Sequence, residues 1–276
     1  MIWIVVFAVV ILFIAFCFYQ NNKLDLTKYE IKSERVDRDI RIVHLSDFHS
    51  KPFGAALKKA AALSPDYICI TGDFINDKGR NRKRMLNYGK KLTEICPVIY
   101  ITGNHERRLS YFYELMKELE NTGFNVLLNE IKKTENITFL GLDENQADFS
   151  DYKARKKGTF KYRDMSEYFA KLEKADNFRL VLSHFPENFC GIKEVNYSQY
   201  DFELQLSGHA HGGQWIMPFI GPLFSPGQGI LPKYARGTHG DKPKLIISRG
   251  LGNSEFPLRL FNHPEIVIVD IKKIPD

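Results

Sequence analysis

The chain has 276 residues, long enough for one large domain with a substantial buried core. Its 44% apolar and 26% charged content excludes a disordered chain. The net charge of +6 is modest, fitting ordinary solubility or a domain lying against anionic lipid headgroups, and no lysine–arginine block is dense enough to argue for nucleic acid.

From Ile2 to Tyr19 the chain carries no formal charge and is dominated by Ile, Val, Phe, Leu and Ala. Such a run reaches about 27 Å as a helix, just under the roughly 30 Å hydrocarbon core of a bilayer. Residues 1–20 therefore read as a transmembrane anchor, with a cleaved signal peptide and a buried or monotopic helix as the alternatives. Against cleavage, Phe16-Cys17-Phe18-Tyr19 lacks the small residues a signal peptidase needs, and no basic n-region precedes the run. Lys23, Lys28, Lys32 and Arg35 follow it closely, which places the remainder of the chain on the cytoplasmic side. Residues 21–40 are polar and read as a tether into a domain over 41–276. The cysteines at 17, 69, 96 and 190 show no paired spacing, so no disulfide framework is expected.

Beyond the tether, short apolar runs recur, each followed at once by Asp, His, Asn or Gly. Residues 41–45 run into Asp47-Phe48-His49, 66–71 into Gly72-Asp73, and 98–102 into Gly103-Asn104-His105-Glu106. Residues 178–182 run into Ser183-His184, and 202–206 into Gly208-His209-Ala210-His211. Runs this short, rich in Ile, Val, Leu and Tyr, read as buried strands. Residues 55–63, 82–95 and 111–121 carry helical patterns between the early strands, and further strands follow at 137–142, 245–248 and 266–271. Alternating strands and helices imply an α/β class; two sheets packed face to face and flanked by helices would accommodate both halves.

In such folds ligand groups collect beyond the carboxyl ends of the strands. Asp47 with His49, and His209 with His211, are two residues apart, so at a strand end each pair would point to one face. Asp73, Asn104 and His184 arrive singly. Four imidazoles, two carboxylates and one amide oxygen are too many for one tetrahedral zinc. They suit two divalent cations sharing a carboxylate and lowering the pKa of a bridging water. The mixed nitrogen and oxygen donors suit Mn²⁺, Fe²⁺, Zn²⁺ or Co²⁺ better than Mg²⁺ or Ca²⁺, and Mn²⁺ is the expected occupant of the four. Taken singly each residue has a bland explanation, a turn or an exposed side chain; five in order at five strand ends do not. His44, inside its strand, reads as core.

Asp47-x-His49, Gly72-Asp73, Gly103-Asn104-His105-Glu106, His184 and Gly208-His209-x-His211 resemble the ordered signature of the calcineurin-like metallophosphoesterase superfamily. The resemblance implies a β-sandwich of two mixed sheets flanked by helices. It also implies that Asp47, His49 and His211 hold one metal, that Asn104, His184 and His209 hold the other, and that Asp73 bridges them. His105 would contact the phosphoryl oxygen or protonate the leaving group. Glu106 would either orient that imidazole or face solvent. Where many members carry a further Asp, this chain has Asn76, with Asp77 beside it. The anchor, residues 207–214 and Ser248-Arg249-Gly250-Leu251-Gly252 look like the YkuE/YaeI-like branch, which is similar to UDP-2,3-diacylglucosamine hydrolases.

Three segments bear on the substrate. Residues 214–229, with Trp215, Phe219 and Phe224 among Pro and Gly, would not form a regular element; they either pack over the sheet or face lipid. Arg249 is either a phosphate contact or structural. The basic stretch 148–163 is either an exposed loop or a lid. The expected function is hydrolysis of a phosphoester or pyrophosphate, the substrate lipid-linked or membrane-proximal, by a monomer partnered with the bilayer and not with nucleic acid. The alternatives are a metal-retaining binding module and a nuclease or nucleotide phosphodiesterase.

Overall fold

The computed structural model describes residues 2–144, 153–155, 157–253 and 256–274. After the apolar helix α1 (Ile2–Asn22) come β1 (Asp25–Ser33), β2 (Ile40–Leu45), α2 (Gly54–Ala62), β3 (Tyr67–Thr71), α3 (Arg82–Thr93) and β4 (Val98–Ile101). A single turn, α4 (Asn104–Arg107), precedes α5 (Phe112–Asn121), β5 (Phe124–Val126), β6 (Glu130–Lys133) and β7 (Ile137–Gly141). The second half holds α6 (Ser166–Leu172), β8 (Phe178–Leu182) and β9 (Leu204–Ser207). Four short strands follow, β10 (Ile216–Met217), β11 (Gly221–Pro222), β12 (Phe224–Ser225) and β13 (Gly229–Ile230). The chain then closes with β14 (Gly237–His239), β15 (Lys244–Ile247) and β16 (Glu265–Lys273).

The period-two alternation of the apolar strands builds the layers. Ile42, Cys69, Ile99, Leu180, Leu204 and Val267 point into one core shared by two six-stranded sheets, ordered β1-β16-β2-β3-β4-β5 and β14-β15-β9-β8-β7-β6. Their neighbours Val43, Ile68, Val98 and Tyr100 point the other way, onto Ala56, Ala60, Met85, Leu92, Leu115 and Leu119 of α2, α3 and α5. On the far side Leu140, Val181, Leu245 and Ile247 meet Phe169 and Leu172 of α6. Both sheets are mixed: β2, β3, β4 and β5 run parallel, as do β7, β8, β9 and β15, while β16 and β14 are antiparallel to their neighbours β2 and β15. This is the α/β sandwich of two mixed sheets flanked by helices that the sequence implied.

Two readings of the sequence need correction. Residues 25–33, taken as part of a tether, form the edge strand β1, paired in parallel with β16 from Asp25↔Glu265 to Ser33↔Lys273. Thr27, Tyr29 and Ile31 are its half-buried face, and Lys28, Glu30 and Lys32 face outward; polar residues at every second position gave the strand its tether-like composition. Residues 214–229 also contain regular structure, two minimal antiparallel hairpins, β10–β11 and β12–β13. Helix α1 is long and apolar enough to cross a membrane by length and composition, and it is exposed except at its last turns, which rules out a buried core helix. All four cysteines are free thiols.

Asp270 on β16 fastens three strands. Arg41 of β2 donates to it twice, Nε to Oδ1 at 2.7 Å and Nη2 to Oδ2 at 2.9 Å, and Lys28 of β1 lies 2.9 Å from Oδ2. The Arg41 hydrogen bonds hold its carboxyl down at about 2. A depressed carboxyl adds stability above its unfolded pKa that is lost as pH falls through the folded value. Asp270→Asn should therefore cost about 1–2 kcal/mol at pH 7, after allowance for solvent screening, and almost nothing near pH 2. Chemical denaturation of both chains across that range reads the difference.

Candidate metal centre

Strands β2, β3, β4, β8 and β9 all present their carboxyl ends to one rim of the sandwich, and the turns that follow them converge there. The turns are sharp: Asp47, His49, Asp73, His209 and His211 all adopt left-handed backbone conformations. Asp47 and His49 therefore meet through left-handed backbone beyond the end of β2, not by alternation along an extended strand. Gly208 has no room for a side chain, since a Cβ there would strike Ser46 Oγ and Asp47 Oδ2; that close approach brings the β9 turn onto the β2 turn.

The donors fall into overlapping groups. Asp47, His49 and His211 form one, with His211 Nε2 3.4 Å from Asp47 Oδ1 and 2.9 Å from His49 Nε2. Asp73, His184 and His209 form another, with His184 Nε2 3.4 Å from Asp73 Oδ2 and 3.2 Å from His209 Nδ1. Asn104 Oδ1 joins the second at 3.1 Å from His184 Nε2. Asp73 Oδ2 lies between them, 3.7 Å from His49 Nε2. The seven residues named from the sequence are thus brought together, and within each acid–imidazole group the donor atoms lie within 4.8 Å of one another.

The electrostatics fit a pair of cations. Burial lowers the His49 imidazole to about 3, and burial with neighbouring positive groups holds His209 and His211 well below the ordinary value. These three rings are held neutral, as metal ligands must be. Burial pushes Asp47 up to about 6, with Asp73 adding repulsion. Burial would raise Asp73 too, but the charges of His184 and His105 outweigh it and hold that carboxyl low. His184 is raised to about 10 against its own burial, chiefly by Asp73. The cluster thus selects positive charge at its middle, which a divalent cation supplies better than a proton.

Surrounding groups orient the donors. His184 Nδ1 lies 2.7 Å from the Thr71 carbonyl, which can only accept, so Nδ1 keeps its proton and Nε2 is the nitrogen that a cation would displace a proton from. The His209 amide donates to both Asp47 oxygens at 3.1 Å, and the His105 amide donates to Asp73 Oδ1 at 3.0 Å. Glu106 neither faces solvent nor touches the His105 ring. It is buried and accepts from the amides of Asp73, Ile75 and Gly103, locking two of the turns together. The Asp77 amide donates to His105 Nδ1 at 3.2 Å, so a neutral His105 carries its proton on Nε2, 3.9 Å from Asp73 Oδ2. Asn76, at the position where an Asp is common, accepts from the Arg80 amide instead. His44 is buried against Thr71 Oγ1 at 2.8 Å, as expected of a core residue.

Arg249 is placed otherwise than a phosphate contact requires. Its guanidinium bonds Glu265 Oε1 at 3.0 Å and Asp25 Oδ2 at 3.2 Å, tying the start of β1 to that of β16. Sequence reasoning missed Arg259, fully buried with Nη2 3.3 Å from His211 Nδ1; its one signal was a lone charge between Leu258 and Leu260. It also missed an open groove of about 450 Å³ beside His49, lined by Lys51, Arg80 and Arg84 among others. The run Arg80-Asn81-Arg82-Lys83-Arg84 was the available clue. In the basic stretch 148–163, residues 148–152 and 156 lie outside the described residues; Arg155 pairs with the buried Glu187 at 3.6 Å.

Removing the Arg249 charge takes the guanidinium from Glu265 and Asp25, leaving Asp25 with His263 at 3.1 Å and Glu265 with the Thr27 hydroxyl and the amide of residue 249. Arg249→Met is expected to lower stability by about 2–4 kcal/mol while changing KM for a phosphoester by less than twofold. Denaturation and steady-state kinetics on the same variant separate this structural role from substrate contact.

The comparisons with known proteins agree with this centre. The Calcineurin-like phosphoesterase family matches residues 40–213. The chain is 28% identical to the uncharacterized metallophosphoesterase YkoQ of Bacillus subtilis, over 95% of this chain and 97% of that one. It is 26% identical to the UDP-2,3-diacylglucosamine pyrophosphatase LpxG of Chlamydia muridarum, over 83% of each. Its fold is similar to that of a dimetal phosphatase from Danio rerio, with a TM-score of 0.51 and 13% identity over 78% of this chain and 88% of the other. The chain belongs to the calcineurin-like metallophosphoesterases and is a metal-dependent phosphohydrolase.

Proposed function

We propose that this phosphohydrolase cleaves a phosphoester or pyrophosphate bond in a lipid-linked or membrane-proximal substrate. The observation that carries the reading is a divided site: the donor cluster opens at His49 onto a groove with Lys51, Arg80 and Arg84, and is backed at His211 by a segment on which α1 rests. The name of the relative LpxG, a pyrophosphatase of a diacylated sugar nucleotide, supports a substrate of this kind.

Asp47, His49 and His211 would hold one cation and Asn104, His184 and His209 the other, with Asp73 shared; Mn²⁺ is favoured. Bound there, two cations supply the charge that holds a phosphoryl group and makes water nucleophilic near neutral pH. The chain's own groups supply the rest. His105 directs an Nε2 proton at the edge of the cluster, where it donates to a phosphoryl oxygen or to the leaving group. The Glu106 carboxylate and the His209 and His105 amides keep the turns from yielding as charge develops. Lys51, Arg80 and Arg84 bind the anionic remainder of the substrate. Helix α1 would anchor the chain as a single-pass protein, its cationic flank from Lys23 to Arg35 keeping the domain in the cytoplasm.

Turnover of bis-p-nitrophenyl phosphate by the full chain in detergent, with Mn²⁺ and with chelator, tests the chemistry. The expected outcome is metal-dependent hydrolysis that disappears in Asp73→Asn. In His105→Ala, kcat should fall by about 10²–10⁴-fold with metal content unchanged. Wild-type protein that binds two ions per chain yet turns over neither this surrogate nor lipid pyrophosphates would favour the binding-module reading. For the groove, Arg80→Ala with Arg84→Ala should raise KM about tenfold for an anionic diester and leave kcat nearly unchanged.

A further inference from the structure

Around the His211 side of the centre, apolar side chains are exposed in a continuous series of connected loops. Phe219 is fully exposed at the β10–β11 tip and Ile230 is 80% exposed on the β12–β13 hairpin, with Ile220 and Leu231 beside them. These hairpins are not loose. The Leu223 amide bonds the Trp215 carbonyl at 2.9 Å, and the Leu231 amide bonds the Leu223 carbonyl at 3.0 Å. Trp215 Nε1 donates to the Leu258 carbonyl at 3.0 Å, and the Ile216 amide to the Leu260 carbonyl at 3.0 Å, so the hairpins are fixed to the 256–261 segment. Phe256 and Phe261 on that segment are themselves half exposed.

The same segment receives the end of α1. The Phe16 and Phe261 rings lie 5.7 Å apart edge to face, Tyr19 meets His263 at 5.6 Å, and Asn21 Oδ1 accepts from the Arg259 amide at 3.3 Å. Arg259 and Asn262 in turn touch His211, the first at Nδ1 and the second by donating to its carbonyl at 2.7 Å. The apolar loops therefore continue the surface on which the apolar helix ends, and that surface is the back wall of the metal cluster.

We infer that the hairpins 216–231 and the 256–261 segment form a second membrane contact, seated in the face of the leaflet from which α1 emerges and holding the metal cluster at the headgroup level. This rests on the reading of α1 as a membrane span. The occupant is lipid because the patch continues directly from α1, and because its chemistry is that of an interface. Large apolar side chains are exposed at the tips, the amphipathic rings of Tyr19 and Trp215 belong to the same connected segments, and the exposed Lys233 follows Leu231 by two residues. A single 21-residue span can still tilt in the bilayer and carry the docked domain with it; the second contact restricts that tilt and lets a lipid substrate reach the cluster without leaving the leaflet.

The test uses the full chain in phosphatidylcholine–phosphatidylglycerol vesicles, in a Cys190→Ser background that removes the exposed thiol. An environment-sensitive fluorophore is placed at Phe219→Cys, at Ile230→Cys and, as a water-facing control, at Tyr113→Cys. The expected result is a blue shift and strong quenching by shallow doxyl lipids at 219 and 230, with iodide quenching confined to 113. Iodide quenching of all three alike overturns the contact. Protection of 219 and 230 from both quenchers also overturns it, and points to a second copy of the chain as the cover. In Phe219→Asp with Ile230→Asp, hydrolysis of a vesicle-borne phospholipid pyrophosphate should fall about tenfold while the soluble surrogate is cleaved at the wild-type rate. Inserted labels without turnover of any substrate would sink the functional reading and leave the contact standing; labels in water with normal surrogate turnover would do the reverse.

Discussion

The centre depends on burying two carboxylates, Asp47 and Asp73, within reach of one set of imidazoles. In water such a pair would ionise freely; in the rim of this sandwich, burial and mutual repulsion push Asp47 up while neighbouring imidazoles hold Asp73 down. Packing alone does not sustain that arrangement. It is sustained by amides aimed at the carboxylates, His209 at Asp47 and His105 at Asp73, and by imidazole charge concentrated on His184. An environment that stabilises negative charge with fixed dipoles, yet leaves three neutral rings facing inward, is prepared for cations before they arrive. Specificity for metal follows from the same forces that make the cluster costly to fold.

That cost is partly backbone strain. Five ligand candidates occupy left-handed conformations, each unfavourable by about 1–3 kcal/mol for a side chain other than glycine. The parallel strands make this tolerable. Each enters the rim already fixed by ladder hydrogen bonds on both sides and by two apolar faces, so its terminal residue cannot relax backward into the sheet. Glu106 then couples the turns after β3 and β4 through three amides. The result is rigid where ligands must hold fixed positions and exposed only where a phosphate would enter.

Much of this was legible in the sequence because it was written locally. A buried parallel strand reads as a short apolar run, and a ligand at its end follows by two or three residues, as Asp47, Asp73, Asn104, His184 and His209 do. What could not be read depends on contacts across the fold. Strand β1 looked like a tether because an edge strand shows the core only every second residue, and its partner β16 lies at the opposite end of the chain. Glu106 looked like a partner for its neighbour His105, yet its acceptors serve amides from three different positions. Arg249 and Arg259 carry the same charge ten residues apart and are placed differently: the first is bound to carboxylates, and the second, between leucines, lies against His211. Nothing in composition distinguishes them, because the difference lies in which strand end each reaches.

The division of the surface around the centre bears on what kind of molecule the site suits. His49 and His211 face each other at 2.9 Å, yet their surroundings differ in kind. Beyond His49 lies a groove with three cationic side chains; behind His211 lie the 259–262 segment, the end of α1 and the apolar hairpins. A small soluble phosphate ester would use the first and have no need of the second. The substrate proposed above, with a charged head and an apolar body, would use both, its scissile phosphorus lying at the boundary where the donors are. Electrostatic attraction in the groove and exclusion of water on the apolar side would act on opposite ends of such a molecule and so position the reacting bond without competing for it.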